Sequence, residues 1–145
     1  MTKKLVTFLL VEDDDTHAHL VGRSLDKARI ANEVFRAADG VEAMRFLRQE
    51  GEHADKPRPD VVLLDLKLPK MDGHEVLAAI KDDSQLKLIP VVIMTTSDEE
   101  TDREKAYAHQ ANSYVVKPVD FDKFRQMVND LCLYWGVWNE SPFGD

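Results

Sequence analysis

Two uninterrupted apolar runs stand out against an otherwise mixed chain: Val61-Val-Leu-Leu64 and Pro90-Val-Val-Ile-Met-Thr95. Short runs of this kind, bounded by polar and turn residues, read as strands buried on both faces. Leu5 to Val11 has the same character, and Asn32–Ala38 and Asn112–Val116 read as two further strands. Between them the apolar positions recur at helical spacing. Ala18, Val21, Leu25 and Ala28 mark a helix from about Thr16 to Arg29. Val41, Met44 and Leu47 mark a second, headed by Asp39-Gly-Val-Glu42 at capping-box spacing. Val76, Leu77 and Ile80 build a short helix over His74–Lys81, Asp98–Gln110 reads as a polar helix, and Gly51–Pro59 as a polar loop. In the last helix, Phe121–Leu133, the side chains of Phe121, Phe124, Val128, Leu131 and Trp135 are expected to face the sheet. The strict alternation predicts an α/β fold, a doubly wound (βα)5 parallel sheet with helices on both faces.

Composition narrows the function. A chain of 145 residues, 43% hydrophobic and 32% charged, suits one domain with a single sizeable core. The net charge of −8 argues against general nucleic-acid binding. No apolar run approaches a membrane span. The Lys3-Lys-Leu-Val-Thr-Phe-Leu-Leu10 start is followed at once by Glu12-Asp-Asp-Asp15, which favours a strand over a signal peptide. The lone Cys132 lies on the apolar side of the last helix, rules out an internal disulfide and suits a reducing cytoplasm. The five histidines form no ligand set, and none is assigned a metal or phosphotransfer role.

The chemistry-bearing side chains fall at strand C-termini, where open α/β sheets keep their ligands. Glu12 and Asp13 follow the first strand, Asp65 the third, Thr95 and Thr96 the fourth, and Lys117 the fifth. Three carboxylates brought together repel one another unless a cation joins them. A hard divalent ion with oxygen ligands answers that need, and Mg2+ fits best because it accepts few protein carboxylates and keeps room for a phosphoryl oxygen. Asp14 and Asp15 are better placed to cap the helix that follows. A threonine in a strand usually reflects β-propensity, and a lysine is usually a solvated charge; only the convergence raises Thr95 and Lys117 above those readings. Pro118 fixes the turn after Lys117, with either isomer of the Lys117–Pro118 bond compatible with the sequence. Together the parts describe phosphoryl transfer to a carboxylate. Asp65 is the nucleophile, Mg2+ and Lys117 neutralise the equatorial oxygens, and Thr95 donates a hydrogen bond to one of them.

These pieces, Leu-Leu-Val-Glu12-Asp13-Asp, Leu-Leu-Asp65-Leu-Lys-Leu-Pro-Lys-Met-Asp-Gly, Pro-Val-Val-Ile-Met-Thr95-Thr-Ser and Ser-Tyr114-Val-Val-Lys117-Pro118, resemble the receiver domain of two-component response regulators. The likeness runs from about Leu5 to Leu133. It implies the flavodoxin-like receiver fold over residues 5–133, with Asp65 as phosphoacceptor. It also implies Mg2+ ligation by Asp13 directly, by Glu12 mainly through water and by the Lys67 backbone carbonyl, and a switch pair of Thr95 and Tyr114. Lys67 stands where relatives often carry Asn or another polar residue; its ammonium would either stabilise the phosphoryl charge or obstruct attacking water.

A narrower likeness, carried by the Gly51–Pro59 loop, Ala111-Asn-Ser-Tyr-Val-Val-Lys-Pro-Val-Asp-Phe121 and a tryptophan-bearing tail over residues 134–145, is to the stand-alone regulators of bacterial and cyanobacterial phytochrome histidine kinases. It implies a phytochrome-type sensor kinase as phosphodonor and a homodimer. Tyr134, Trp138 and Phe143 are the dimer candidates, since they are hard to bury within one compact domain. The tail holds no helix-turn-helix or enzymatic segment, so direct control of transcription is not expected. Two rivals remain. A Mg2+-dependent phosphohydrolase with an aspartyl-phosphate intermediate would favour a second acid two residues after the nucleophile, where this chain has Lys67. A non-switching scaffold would not need the full set of Asp13, Asp65, Thr95 and Lys117.

Overall fold

A computed structural model describes residues 5–28 and 30–141. Five strands alternate with five helices: β1 Val6–Val11, α1 Asp15–Asp26, β2 Asn32–Ala37, α2 Gly40–Leu47, β3 Val61–Leu64, α3 Gly73–Asp82, β4 Val91–Thr95, α4 Glu100–Ala108, β5 Ser113–Val116 and α5 Phe121–Leu133. The strands form one parallel sheet in the order β2-β1-β3-β4-β5. The order reverses at β1, so the crevice beyond the carboxyl ends of β1 and β3 is the topological switch point. Val11 is in register with Leu64, and Leu64 with Ile93, which brings the residues after these strands to one edge.

Successive strand residues feed opposite cores, as the two-residue side-chain period requires. Leu9, Val11, Val62, Leu64 and Ile93 pack with Met44, Leu47, Val76, Leu77, Ile80 and Ala106 on the α2–α3–α4 side. Phe8, Leu10, Leu63, Val92 and Met94 pack with Val21, Leu25, Phe124, Val128 and Cys132 on the α1–α5 side. Cys132 is a fully buried core residue, as its helical position predicts.

Several local expectations are corrected. Val41 is exposed, and α2 instead buries Ala43, Met44, Phe46 and Leu47. Asp39 caps α2 by accepting from the Glu42 N–H, but the Glu42 carboxylate turns away to His53 and Arg45, so the box is only half made. The complete capping box lies at α3, between Asp72 and Glu75. Asp14 alone caps α1, accepting from the His17 N–H; Asp15 is the first helical residue and pairs with Arg36. Phe121, the first residue of α5, is 56% exposed and does not face the sheet as expected. The Gly51–Pro59 loop contains a short 3-10 turn over Gly51–His53.

At its far end α5 does not stop. Tyr134–Trp138 continues it in π-helical geometry, with Trp135 packed on the α1–α5 core and Gly136 against Val6 and Ile30. A glycine is needed at the opposite end of the molecule too. A Cβ on Gly73 would lie 2.3 Å from the Asp65 carbonyl oxygen, so the start of α3 can press directly on the end of β3.

Candidate functional site

Parallel register brings Glu12, Asp65, Thr95 and Lys117, which terminate β1, β3, β4 and β5 or follow them, into one buried cluster. Glu12 is 1% exposed and Thr95 fully buried, whereas Asp13 faces solvent. One carboxylate oxygen each of Glu12, Asp13 and Asp65 lies within 4.8 Å of the other two.

Lys117 organises the cluster. Its ammonium donates to a Glu12 carboxylate oxygen, to Asp65 Oδ2 at 3.1 Å, and to His17 Nδ1 at 3.0 Å. Burial and the neighbouring Asp65 charge push the Glu12 carboxyl up to about 7, against the pull of Lys117. Burial also acts to raise Asp65. There the Lys117 charge and hydrogen bond, together with hydrogen bonds from Glu12 and Thr95, outweigh it and hold the carboxyl below its usual 3.8. Asp65 is thus ionised at neutral pH and able to act as a nucleophile.

The backbone around these side chains is held on both sides. Arg36, from β2, forks its guanidinium onto the Glu12 carbonyl at 2.9 and 3.1 Å and so anchors the β1–α1 loop. Lys67 N–H points to Asp65 Oδ1 at 3.4 Å, while the Lys67 side chain is exposed. Pro118 follows Lys117 through a trans bond, since no cis peptide occurs among the described residues.

A second network runs outward from Thr95. Its hydroxyl accepts from Ser97 N–H at 3.4 Å; Ser97 Oγ donates to Asp102 Oδ2 at 2.7 Å; and Asp102 Oδ1 lies 3.2 Å from His74 Nε2. Tyr114 donates its phenol to the Ser97 carbonyl at 2.9 Å while its ring packs on the α2–α3–α4 core. Thr96, by contrast, is exposed and outside the cluster. Tyr134 and Trp138 are 52% and 71% exposed, and Phe143 lies outside the described residues.

Two histidines that the sequence left without a metal or phosphotransfer role make contacts at or beside the cluster. His17 touches Lys117, and His74 joins α3 to α4 through Asp102. Neither was visible locally. His17 is 100 residues from Lys117, and His74 is 28 from Asp102, with no periodic signal to link either pair. A further group, Glu42, Glu52 and His53, has ligand-like spacing, but Arg45 already pairs with both glutamates.

The carboxylate set fits a hard divalent cation. All its donors are oxygens, one carboxyl is left protonatable by burial, and Asp13 opens to solvent. A cleft of about 280 Å³, walled by His17, Leu20, Thr96, Pro118 and Phe124, opens beside Lys117.

Comparison with known proteins agrees with this arrangement. The response regulator receiver domain family matches residues 8–129. Among curated relatives, the probable methanogenesis regulatory protein FilR2 of Methanothrix harundinacea is 42% identical over 134 residues, covering 92% of this chain and 86% of FilR2. The response regulator Rcp1 of Synechocystis is 43% identical over 127 residues, covering 88% and 86%. Its Mn2+-bound crystal structure superposes with a TM-score of 0.90 at 41% identity, covering 94% of this chain and 99% of that one. The phosphorylated cyanobacterial phytochrome response regulator RcpA superposes with a TM-score of 0.93 at 41% identity, over 96% and 99% of the two chains.

Proposed function

This chain belongs to the response regulator receiver domain family, and from that premise we propose that Asp65 accepts a phosphoryl group from the phosphohistidine of a sensor kinase. An Asp65 carboxylate oxygen attacks phosphorus, the phosphorus–nitrogen bond of the donor breaks, and the departing imidazole takes up a proton. The product is an acyl phosphate on Asp65. One observation carries the assignment: Asp65 follows β3 at the switch point, its carboxylate 3.1 Å from the Lys117 ammonium and within 4.8 Å of carboxylate oxygens of Glu12 and Asp13.

Receiver domains bind a divalent metal, and Mg2+ is the ion we assign here. Asp13 and Asp65 would hold it directly, Glu12 mainly through water, with the Lys67 carbonyl completing the protein ligands. When bound, the ion supplies charge neutralisation for the phosphoryl oxygens. Lys117 neutralises the same oxygens from the other side, and Thr95 turns its hydroxyl from Ser97 toward the new group. That movement releases the Ser97–Asp102 and Ser97–Tyr114 contacts and changes the α4–β5–α5 surface. The protein acts as a signalling switch rather than a turnover enzyme. A phosphohydrolase is disfavoured by Lys67, which stands where a second acid would be needed.

A phytochrome-type histidine kinase is the proposed donor, supported by the likeness to the cyanobacterial phytochrome response regulator RcpA. Among the described residues no helix is long and apolar enough to cross a membrane, which accords with the cytoplasmic location we propose. Tyr134 lines a groove of about 560 Å³ with Met127, Leu131 and Trp135, and the exposed Trp138 follows four residues later; both support the homodimer. The receiver unit is taken as residues 5–133 and the tail as 134–145.

Incubation with acetyl phosphate and Mg2+ followed by intact mass is expected to give one phosphoryl adduct that is absent from Asp65→Asn. No adduct would overturn the assignment, and rapid multiple turnover would favour the phosphohydrolase. Phosphotransfer profiling against the host's histidine kinases then identifies the donor. A kinase of another type is the alternative outcome, since a relative named for methanogenesis regulation is of comparable identity.

A further inference from the structure

We propose that His17 is a positioning residue for phosphoryl acceptance, its imidazole holding the Lys117 ammonium in place while the carboxylates around it change partners. The inference rests on Asp65 being the phosphoacceptor.

An ammonium has three N–H donors, and Lys117 spends them on three elements: Glu12 after β1, Asp65 after β3, and His17 in the first turn of α1. Two of these acceptors are transient. Transfer converts an Asp65 oxygen into an acyl-phosphate oxygen with little remaining charge. A cation drawn to the cluster competes with Lys117 for Glu12. His17 is the acceptor that neither event consumes. Without it, the ammonium would have no constant acceptor at the moment the phosphoryl charge must be met.

His17 is built to be a fixed acceptor. Its backbone N–H is tied to Asp14 Oδ1 at 3.0 Å, and its ring lies against Phe124 of α5, with centroids 6.1 Å apart. The first fixes the backbone from which the ring projects, and the second packs the ring whose Nδ1 lies 3.0 Å from the Lys117 ammonium. An ammonium can only donate, so this contact requires the tautomer that leaves Nδ1 as the acceptor. The imidazole also forms one wall of the cleft that opens beside Lys117, together with Leu20 and Thr96.

Two substitutions separate positioning from packing. His17→Phe keeps an aromatic ring against Phe124 and removes the acceptor. His17→Gln keeps a side-chain acceptor and loses the ring. With acetyl phosphate at saturating Mg2+, His17→Phe is expected to slow adduct formation about fivefold, the worth of one net hydrogen bond. His17→Gln should return to within about twofold of the wild type on the same reasoning. In the metal-free protein, the Lys117 ammonium protons followed by 15N NMR should exchange faster with water in His17→Phe than in His17→Gln. A wild-type rate in His17→Phe, equal slowing by both substitutions, or unchanged ammonium exchange would each overturn the proposal. If the wild type forms the adduct on Asp65, such a result strikes this inference alone; if the wild type forms none, the phosphoacceptor reading falls and this falls with it.

Discussion

At the scale of single residues, the protein keeps two carboxylates beside one ammonium and makes them unequal. Lys117 sides with Asp65, while burial leaves Glu12 with a carboxyl pushed up to about 7. The folded state therefore binds a proton at Glu12 more tightly than the unfolded chain, whose value is 4.5. The resulting stabilisation is full below the unfolded value and disappears as pH rises through the folded one. The thermal midpoint of metal-free protein should carry a downward component between roughly pH 5 and 8. Glu12→Gln should flatten it. Saturating Mg2+ should also flatten it, because a bound cation replaces the proton, and apparent Mg2+ affinity should climb over the same window. Calorimetry across pH, with chelator or with Mg2+, measures both. A slope identical in wild type and Glu12→Gln would show that Glu12 is not the group responsible.

At the scale of elements, α4 is the piece most loosely attached. Ala106 is its one buried residue, and its N-terminus lacks a side-chain cap. Its tie to the rest of the fold is polar: Asp102 accepts from Ser97 and lies against His74 of α3. These partners hold the Asp102 carboxyl below its usual range. A helix held by few apolar contacts opens at low free-energy cost, which suits a switch. Amide exchange in α4 should be faster than in α3 or α5. His74→Leu should quicken it further while leaving exchange in β1 and β3 unchanged. Equal protection of α4 and α5 in the wild type would count against a loosely held α4. The sequence carried much of this. Doubly apolar runs announced β3 and β4, and their ends announced Asp65 and Thr95, because a short uninterrupted apolar run bounded by turn residues suits a strand buried on both faces and is too short for a buried helix. The weak apolar content of Asp98–Gln110 also pointed to a poorly anchored helix. The partners that hold it were not legible. His74, Asp102, His17 and Arg36 reach their targets through tertiary proximity, and exposed-looking polar residues give no local sign of whom they will meet. Val41 and Phe121 fail for the related reason that helical spacing identifies a stripe but not where along the helix the neighbouring element ends.

At the scale of the whole molecule, α5 spans the distance between two functions. Its capping Asp120 lies three residues after Lys117, at the carboxyl edge of the sheet. Its π-helical continuation ends against Val6 and Ile30, at the opposite edge. The exposed side chains Leu133, Tyr134, Val137 and Trp138 cluster at that far end, beside the groove formed by Met127, Leu131 and Trp135. A stable interface needs on the order of 800 Å² from each partner, so this cluster would form its apolar centre with polar residues of α5 around it. Because the cluster and the carboxylates occupy opposite edges, assembly and phosphoryl acceptance should be separable. The wild type is expected to run as a dimer at micromolar concentration in size-exclusion chromatography with light scattering. The double substitution Tyr134→Ser with Trp138→Ser should shift it to monomer while keeping the rate of adduct formation on Asp65 within about twofold, as independent distant sites require. A wild-type monomer would remove the dimer. A monomeric variant that also fails to accept phosphate, yet unfolds at the wild-type temperature, would mean instead that α5 couples the two edges.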